Sequence, residues 1–139
     1  MKNMNIKFDM KEMVYGVNFL PHPEVLMHAE WKGYEFYIVN MGPHPCCYIV
    51  IPPGNPLHLV HYDNIDISVH WGLTYSGESE LFDNRWCIGW DYAHCDDWAW
   101  YYPQGRKWTT AELFNEVVAV IEQLNSGEVF RKLVNRKDL

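Results

Sequence analysis

No segment of the chain approaches the run of about 18 apolar residues that a bilayer-crossing helix requires, so neither a spanning helix nor a membrane partner is expected. Cations are scarce where they would be needed to hold nucleic acid. Residues 33–105 carry nine carboxylates (Glu35, Asp63, Asp66, Glu78, Glu80, Asp83, Asp91, Asp96 and Asp97) against one cation, Arg85, and the whole chain has a net charge of -7. Duplex binding draws most of its affinity from Lys and Arg neutralising phosphates, so no nucleic-acid partner is expected. No C-x-x-C pair relates Cys46, Cys47, Cys87 and Cys95, and Lys2, Lys7, Asp9, Lys11 and Glu12 interrupt the apolar residues at the N-terminus. That pattern does not read as a secretory signal, so a cytoplasmic chain with reduced, buried thiols is expected. H-E-x-x-H and G-x-S-x-G are also absent. A zincin helix and a nucleophile elbow are therefore not expected.

What the chain has in quantity is aromatic residues, at 16%, within an ordinary 48% hydrophobic and 21% charged composition. With 139 residues, this reads as a single globular domain spanning 1–139. Residues 128–139, with Arg131, Lys132, Arg136 and Lys137, read as a frayed basic tail.

Turn signals at Pro21-His22-Pro23, Gly42-Pro43-His44-Pro45 and Pro52-Pro53-Gly54-Asn55-Pro56 cut the first 105 residues into strand-sized pieces. Residues 34–39 and 46–51 are rich in β-branched and aromatic types and predict an antiparallel pair. Ile65–His70 alternates strictly and predicts a half-buried strand. Residues 86–91 predict another, in which Gly89 marks a bulge or a close backbone approach. Thr109 and Glu112 have the spacing of a capping box, and Leu113, Val117, Val120, Ile121 and Leu124 then form one apolar stripe up to Gly127. The expected class is α+β: a twisted antiparallel sheet with one long C-terminal amphipathic helix packed on one face. The first 30 residues have neither a helical nor a strand period, and their place is left open between covering a cleft, swapping between subunits and packing beneath the sheet.

Two stretches concentrate polar groups among rings at predicted strand ends: His70-Trp71-Gly72-Leu73-Thr74-Tyr75-Ser76, and Gly89-Trp90-Asp91-Tyr92-Ala93-His94-Cys95-Asp96-Asp97. One reading is a metal site, with His70, Asp91 and His94 as ligands for zinc or another divalent metal and Asp96 or Asp97 adding oxygens. Its alternative has Asp91 accepting hydrogen bonds in a turn and His94 paired with Asp96. His58, His61 and Asp63 form a second metal-compatible group in a proline-rich loop, and Asp66, Ser68 and His70 suggest a triad that strand geometry does not support. The other main reading uses the flat surfaces of Trp71, Tyr75, Trp90, Tyr92, Trp98, Trp100, Tyr101 and Tyr102 to stack on a ligand ring. The same rings can also fill a core or build a homo-oligomer interface. A phosphorylated ligand would need Arg85, Arg106, Lys107 or the tail of another subunit to close over it.

At these two stretches the sequence resembles a group of small bacteriophage and prophage proteins that read H-G-G-L-T-Y-S followed by G-F-D-x-A-H-x-x-D. The matching positions are His70, Gly72, Leu73, Thr74, Tyr75 and Ser76, then Gly89, Asp91, Ala93, His94 and Asp97. Tyr48, Ile51, Pro52, Gly54 and Pro56 resemble the group's G-Y-V-x-V-P-x-G-H-P segment, and the likeness covers about residues 44 to 125. Trp71 stands in place of a glycine, Trp90 of a phenylalanine and Tyr92 of a cysteine. The resemblance implies a phage setting and a shared fold, with no reaction attached.

Together these observations lead to the expectation of a phage-type accessory protein, of the counter-defence kind. It would need no cofactor and would sequester a small nucleotide-like ligand in an aromatic cleft built by His70, Trp71, Thr74, Tyr75, Trp90, Asp91, His94 and Asp97. The alternatives are a metal-dependent hydrolase using His70, Asp91 and His94, and an inhibitor that blocks a host defence protein by direct contact.

Overall fold

The computed structural model describes residues 4–6, 10–127 and 129. Among them, six strands make one antiparallel sheet: β1 (Met4–Ile6), β2 (Glu24–Trp31), β3 (Tyr34–Asn40), β4 (Pro45–Val50), β5 (Tyr75–Ser79) and β6 (Arg85–Asp91). One helix, α1 (Thr110–Ser126), follows. The fold is α+β, and the order across the sheet is β1-β2-β3-β4-β6-β5, so β6 lies between β4 and the edge strand β5. No helix of the described residues is long and apolar enough to cross a membrane.

Local chemistry accounts for most of these elements. Lys32 and Gly33, with φ of 46° and 88°, form the two-residue turn between β2 and β3, whose backbone twist matches that of paired strands. Thr109 accepts from the Glu112 amide while the Glu112 carboxylate accepts from the Thr109 amide, closing the predicted capping box. Glu12 adds a second acceptor at this helix start, taking the Thr110 amide at 2.8 Å, where an anion also complements the helix dipole. Gly127 ends the helix with φ 79°. Val129 beyond it is buried in the main core, and the remainder of the expected basic tail lies outside the described residues.

The stripe Leu113, Val117, Val120, Ile121 and Leu124 is buried against Phe36, Ile38, Ile49 and Ile88 of the sheet. Burial of each such side chain contributes about 1.5–3 kcal/mol, which makes this face the main source of stability. On the opposite face Tyr37, Val39, Val50 and Cys87 are covered by Phe82, carried on the single turn of 3-10 helix Glu80–Phe82.

Ile65–His70 departs from expectation. Its burial alternates as the pattern implies, with Ile65 and Ile67 inside and Asp66 and Ser68 outside, but no strand of the described residues pairs with it. Gln123 of α1 takes the partner's place. The Ser68 amide donates to Gln123 Oε1 at 2.8 Å, and Gln123 Nε2 donates to the Ser68 carbonyl at 2.7 Å. A side-chain amide has the same donor and acceptor groups as a peptide, so one glutamine satisfies this backbone and removes the need for a ladder.

The N-terminal residues also find a place. Segment 10–20 runs past the start of α1 and under the β3–β4 turn, where Gly16 N donates to Gly42 O and Leu20 N to Met41 O. Gly42 has φ 114°, and a Cβ there would sit 2.2 Å from the Asn18 carbonyl oxygen, so only glycine fits.

Gly89 in β6 makes the predicted close approach, because a Cβ on it would meet Tyr48 Cδ1 at 2.5 Å and Cys47 O at 2.8 Å. Gly89→Ala is expected to lower the unfolding free energy by about 1–3 kcal/mol in urea denaturation. An unchanged midpoint would show that β4 does not press on this position.

Candidate functional site

The organising group is the Asp97 carboxylate, which is only 3% exposed. Four hydrogen-bond distances from three donor groups converge on it: His70 Nε2 at 2.8 and 2.9 Å, Trp108 Nε1 at 3.0 Å and the His94 amide at 3.0 Å. An ionised carboxylate only accepts, so His70 carries a proton on Nε2. Three stretches of chain are joined here: the end of the long β4–β5 connection, the turn after β6, and the lead-in to α1. Position 97 is 27 residues from His70 and 11 from Trp108, distances at which spacing alone reveals nothing.

Rings stack outward from this centre. His70 lies face to face on Tyr92, with centroids 4.9 Å apart and planes at 9°, and meets Trp108 edge-on at 5.1 Å. Edge-on at 5.8 Å comes His94, which is itself covered by Trp71 at 5.1 Å and 19°. Trp71 has φ 57°, in the left-handed region that a glycine enters more easily, and its stacking on His94 offsets that strain of about 1–2 kcal/mol.

Asp91 closes the other side. It accepts from Thr74 Oγ1 at 2.9 Å and from the Ala93 amide at 3.1 Å, the turn role anticipated for it. His94 Nε2 lies 3.1 Å from Asp91 Oδ1 but at an angle that makes no hydrogen bond, and this nitrogen is buried without a partner. The histidine thus faces Asp91, not Asp96.

The eight expected ligand-binding residues therefore divide among several places. His94 and Asp97 line a cleft of about 650 Å³, together with Pro43, His44, Cys95, Asp96 and the loop Trp98–Tyr102. Thr74, Tyr75, Trp90 and Asp91 line a smaller neighbouring hollow of about 320 Å³. The two hollows share His44 and Ala93 on their walls. His70 stands behind Asp97, and Trp71 covers His94 from outside. Trp90 is 1% exposed, and its indole donates to Tyr92 OH at 2.9 Å, so its ring faces belong to the core.

Sequence reasoning missed His44, which it read as part of a turn; it counted Trp98, Trp100, Tyr101 and Tyr102 among the stacking rings but did not place them among the eight residues of the cleft. Trp100, Tyr101 and Tyr102 are 56%, 74% and 49% exposed, values that core packing does not explain. The signal was available in the sequence: three consecutive aromatics just ahead of Pro103-Gln104-Gly105 are poorly suited to a core strand.

The cations considered as phosphate clamps are engaged elsewhere. Arg85 makes a two-pronged ion pair with Glu35, donates to Tyr37 OH at 2.8 Å and donates through Nε to the Phe82 carbonyl at 2.9 Å. Arg106 pairs with Glu112 at 2.7 Å and stacks over Trp108, while Lys107 lies over Trp98.

The metal-compatible groups do not assemble. Among the described residues no three His, Cys, Asp or Glu side chains are grouped to hold an ion, because Asp97 draws His70 Nε2 away from Asp91 and His94. In the second group, His58 donates from Nδ1 to the Ile51 carbonyl at 2.8 Å, while His61 and Asp63 form an exposed pair 3.7 Å apart. The suggested triad is absent too, since His70 faces Asp97 and the Ser68 backbone is held by Gln123.

All four cysteines are free thiols, and three are buried as expected; Cys95 is the exception, exposed in the cleft wall because it falls in the turn between the end of β6 and the loop bridge at Asp97. Cys46 lies 3.7 Å from His44 Nδ1, but burial pushes its thiol up to about 12, so it stays protonated and is no nucleophile. No family model, curated protein or solved structure matches the chain.

Two outcomes follow from this geometry. Asp97→Asn replaces an acceptor with a donor facing His70, and is expected to reduce stability by about 3 kcal/mol in chemical denaturation. Dithionitrobenzoate should label Cys95 rapidly and Cys46, Cys47 and Cys87 only after denaturation, because burial raises all three of those thiols. Rapid native labelling of more than one thiol would contradict the packing around β4 and β6.

Proposed function

We propose that the protein acts by binding, holding a small, flat, nucleoside-like ligand against the aromatic wall of the larger cleft. The observation that carries this reading is the combination of a hollow of about 650 Å³ with exposed rings at Trp100, Tyr101 and Tyr102. Small-molecule sites typically occupy about 300–1,000 Å³ and combine apolar walls with a few placed polar groups. The Asp96 carboxylate on the wall is available to accept from ligand hydroxyls. Of the originally expected residues, His94 and Asp97 remain at the cleft, Asp97 as the anchor of its wall. Asp91 and Thr74 border the adjoining hollow.

Together with the resemblance to small phage proteins, this supports the reading of a phage-type accessory protein that sequesters a host small molecule in the host cytoplasm. A second reading, contact with a host protein, is favoured by a different observation: Val14, Val17, Phe19 and Leu20 are exposed along segment 10–20, and Phe19 reaches the smaller hollow.

Adenosine titrated into the protein should quench tryptophan fluorescence saturably. Trp100→Ala should weaken that binding by roughly 5- to 150-fold, the worth of about 1–3 kcal/mol of base stacking. Absence of binding by adenosine and by every other nucleoside tried, or adenosine binding that Trp100→Ala leaves unchanged, would overturn the nucleoside reading. Phe19→Asp separates the second reading, since it would abolish a protein contact while leaving nucleoside affinity intact.

A further inference from the structure

We infer that the larger cleft selects a ligand whose ring carries a positive charge, such as an N-alkylated base, over its neutral and phosphorylated counterparts; this rests on the reading of the cleft as a nucleoside-type site. The residues around the hollow include two carboxylates, Asp96 and Asp97, and two histidines, His44 and His94, but no Lys or Arg. Asp97 is buried and already bonded to three donor groups, so its charge is directed inward. Asp96 is exposed and is one of the residues that line the cleft. A phosphate placed here would meet a carboxylate, and the cation nearest the wall, Lys107, has its ammonium taken up over the Trp98 ring.

The aromatic wall points the same way. Ring faces carry negative quadrupole charge and attract ammonium and guanidinium groups. This loop already demonstrates it with the chain's own cations: the Arg106 guanidinium sits 3.6 Å over the Trp108 ring, and the Lys107 ammonium 4.7 Å over Trp98. Among the described residues no cation covers Trp100, Tyr101 or Tyr102. Trp100 and Tyr101 meet at 88° with centroids 5.6 Å apart, forming a corner of two open ring faces. Such a corner beside a carboxylate recognises a flat cation from two directions. Arg85, the only cation within residues 33–105, is held away by Glu35, so nothing in that segment repels a positive guest.

The test is isothermal titration of the full chain, in neutral buffer, with 1-methyladenosine, which is a cation there, and its uncharged isomer N6-methyladenosine. The two have the same heavy atoms, so size and stacking area are matched; the cation has one extra proton and a different N1/N6 edge, and Asp96→Asn separates the charge from the edge. The cation is expected to bind about tenfold more tightly, ~1.4 kcal/mol. Asp96→Asn, an exposed and nearly isosteric change, should reduce the preference several-fold, and adenosine 5′-monophosphate should bind more weakly than adenosine. Equal affinity for the two isomers, or tighter binding of the monophosphate, would overturn the charge selection while leaving the nucleoside reading standing. Failure of every nucleoside to bind would overturn both.

Discussion

The buried Asp97 carboxylate is the constraint on which the cleft end of this molecule depends. A charge taken out of water is tolerated only where donors replace its hydration, and here the donors come from His70, His94 and Trp108. Each belongs to a chain segment with no regular secondary structure of its own. The carboxylate therefore does for these loops what backbone ladders do for the strands. Trp108 leads directly into the capping box of α1, and His70 follows the extended segment held by Gln123. Helix, long connection and cleft wall are thereby tied to one point, and the exposed rings at 98–102 stand on a fixed base.

Electrostatics shape the same region by subtraction. The acidic middle of the chain has one cation, and that cation is taken up by ion pairs with Glu35 and Asp83. Arg85 lies on the opposite side of the sheet from α1, where Glu35, Tyr37 and the Phe82 carbonyl take its donors. Arg106 and Lys107 adjoin the cleft loop in sequence, but their charges lie on the indoles of Trp108 and Trp98. The residues that line the cleft then bring carboxylates and rings but no Lys or Arg of their own.

What the sequence made legible was local. β-branched runs around Gly42-Pro43 identified β3 and β4, and the Thr109–Glu112 spacing with the stripe from Leu113 to Leu124 identified α1 almost to the residue. Ile65–His70 was read correctly by face and wrongly by pairing, since alternation reports which side chains are buried and says nothing of what satisfies the backbone; that came from Gln123, 55 residues away. The site was legible only in part for the same reason. His94 and Asp97 were identified, but whether His70 would turn toward Asp91 or Asp97 depended on a long-range contact. Trp90 and Trp100 look alike in sequence, yet one lies in a central strand's core and the other on an exposed loop.

The insertion of β6 between β4 and β5 makes the second edge of β4 depend on a strand distant in sequence. β2, β3 and β4 follow one another with short turns and can zip together as they emerge, whereas β4 must wait for residues 85–91 before its second edge is covered. In that interval the most apolar strand of the sheet, Pro45–Val50, offers open hydrogen-bonding groups to any extended chain nearby. The proline-rich connection that follows it, Pro52-Pro53-Gly54-Asn55-Pro56, has few amides to offer in return. Its prolines lack the amides that a paired strand must donate, so this connection does not compete with β6 for the β4 edge.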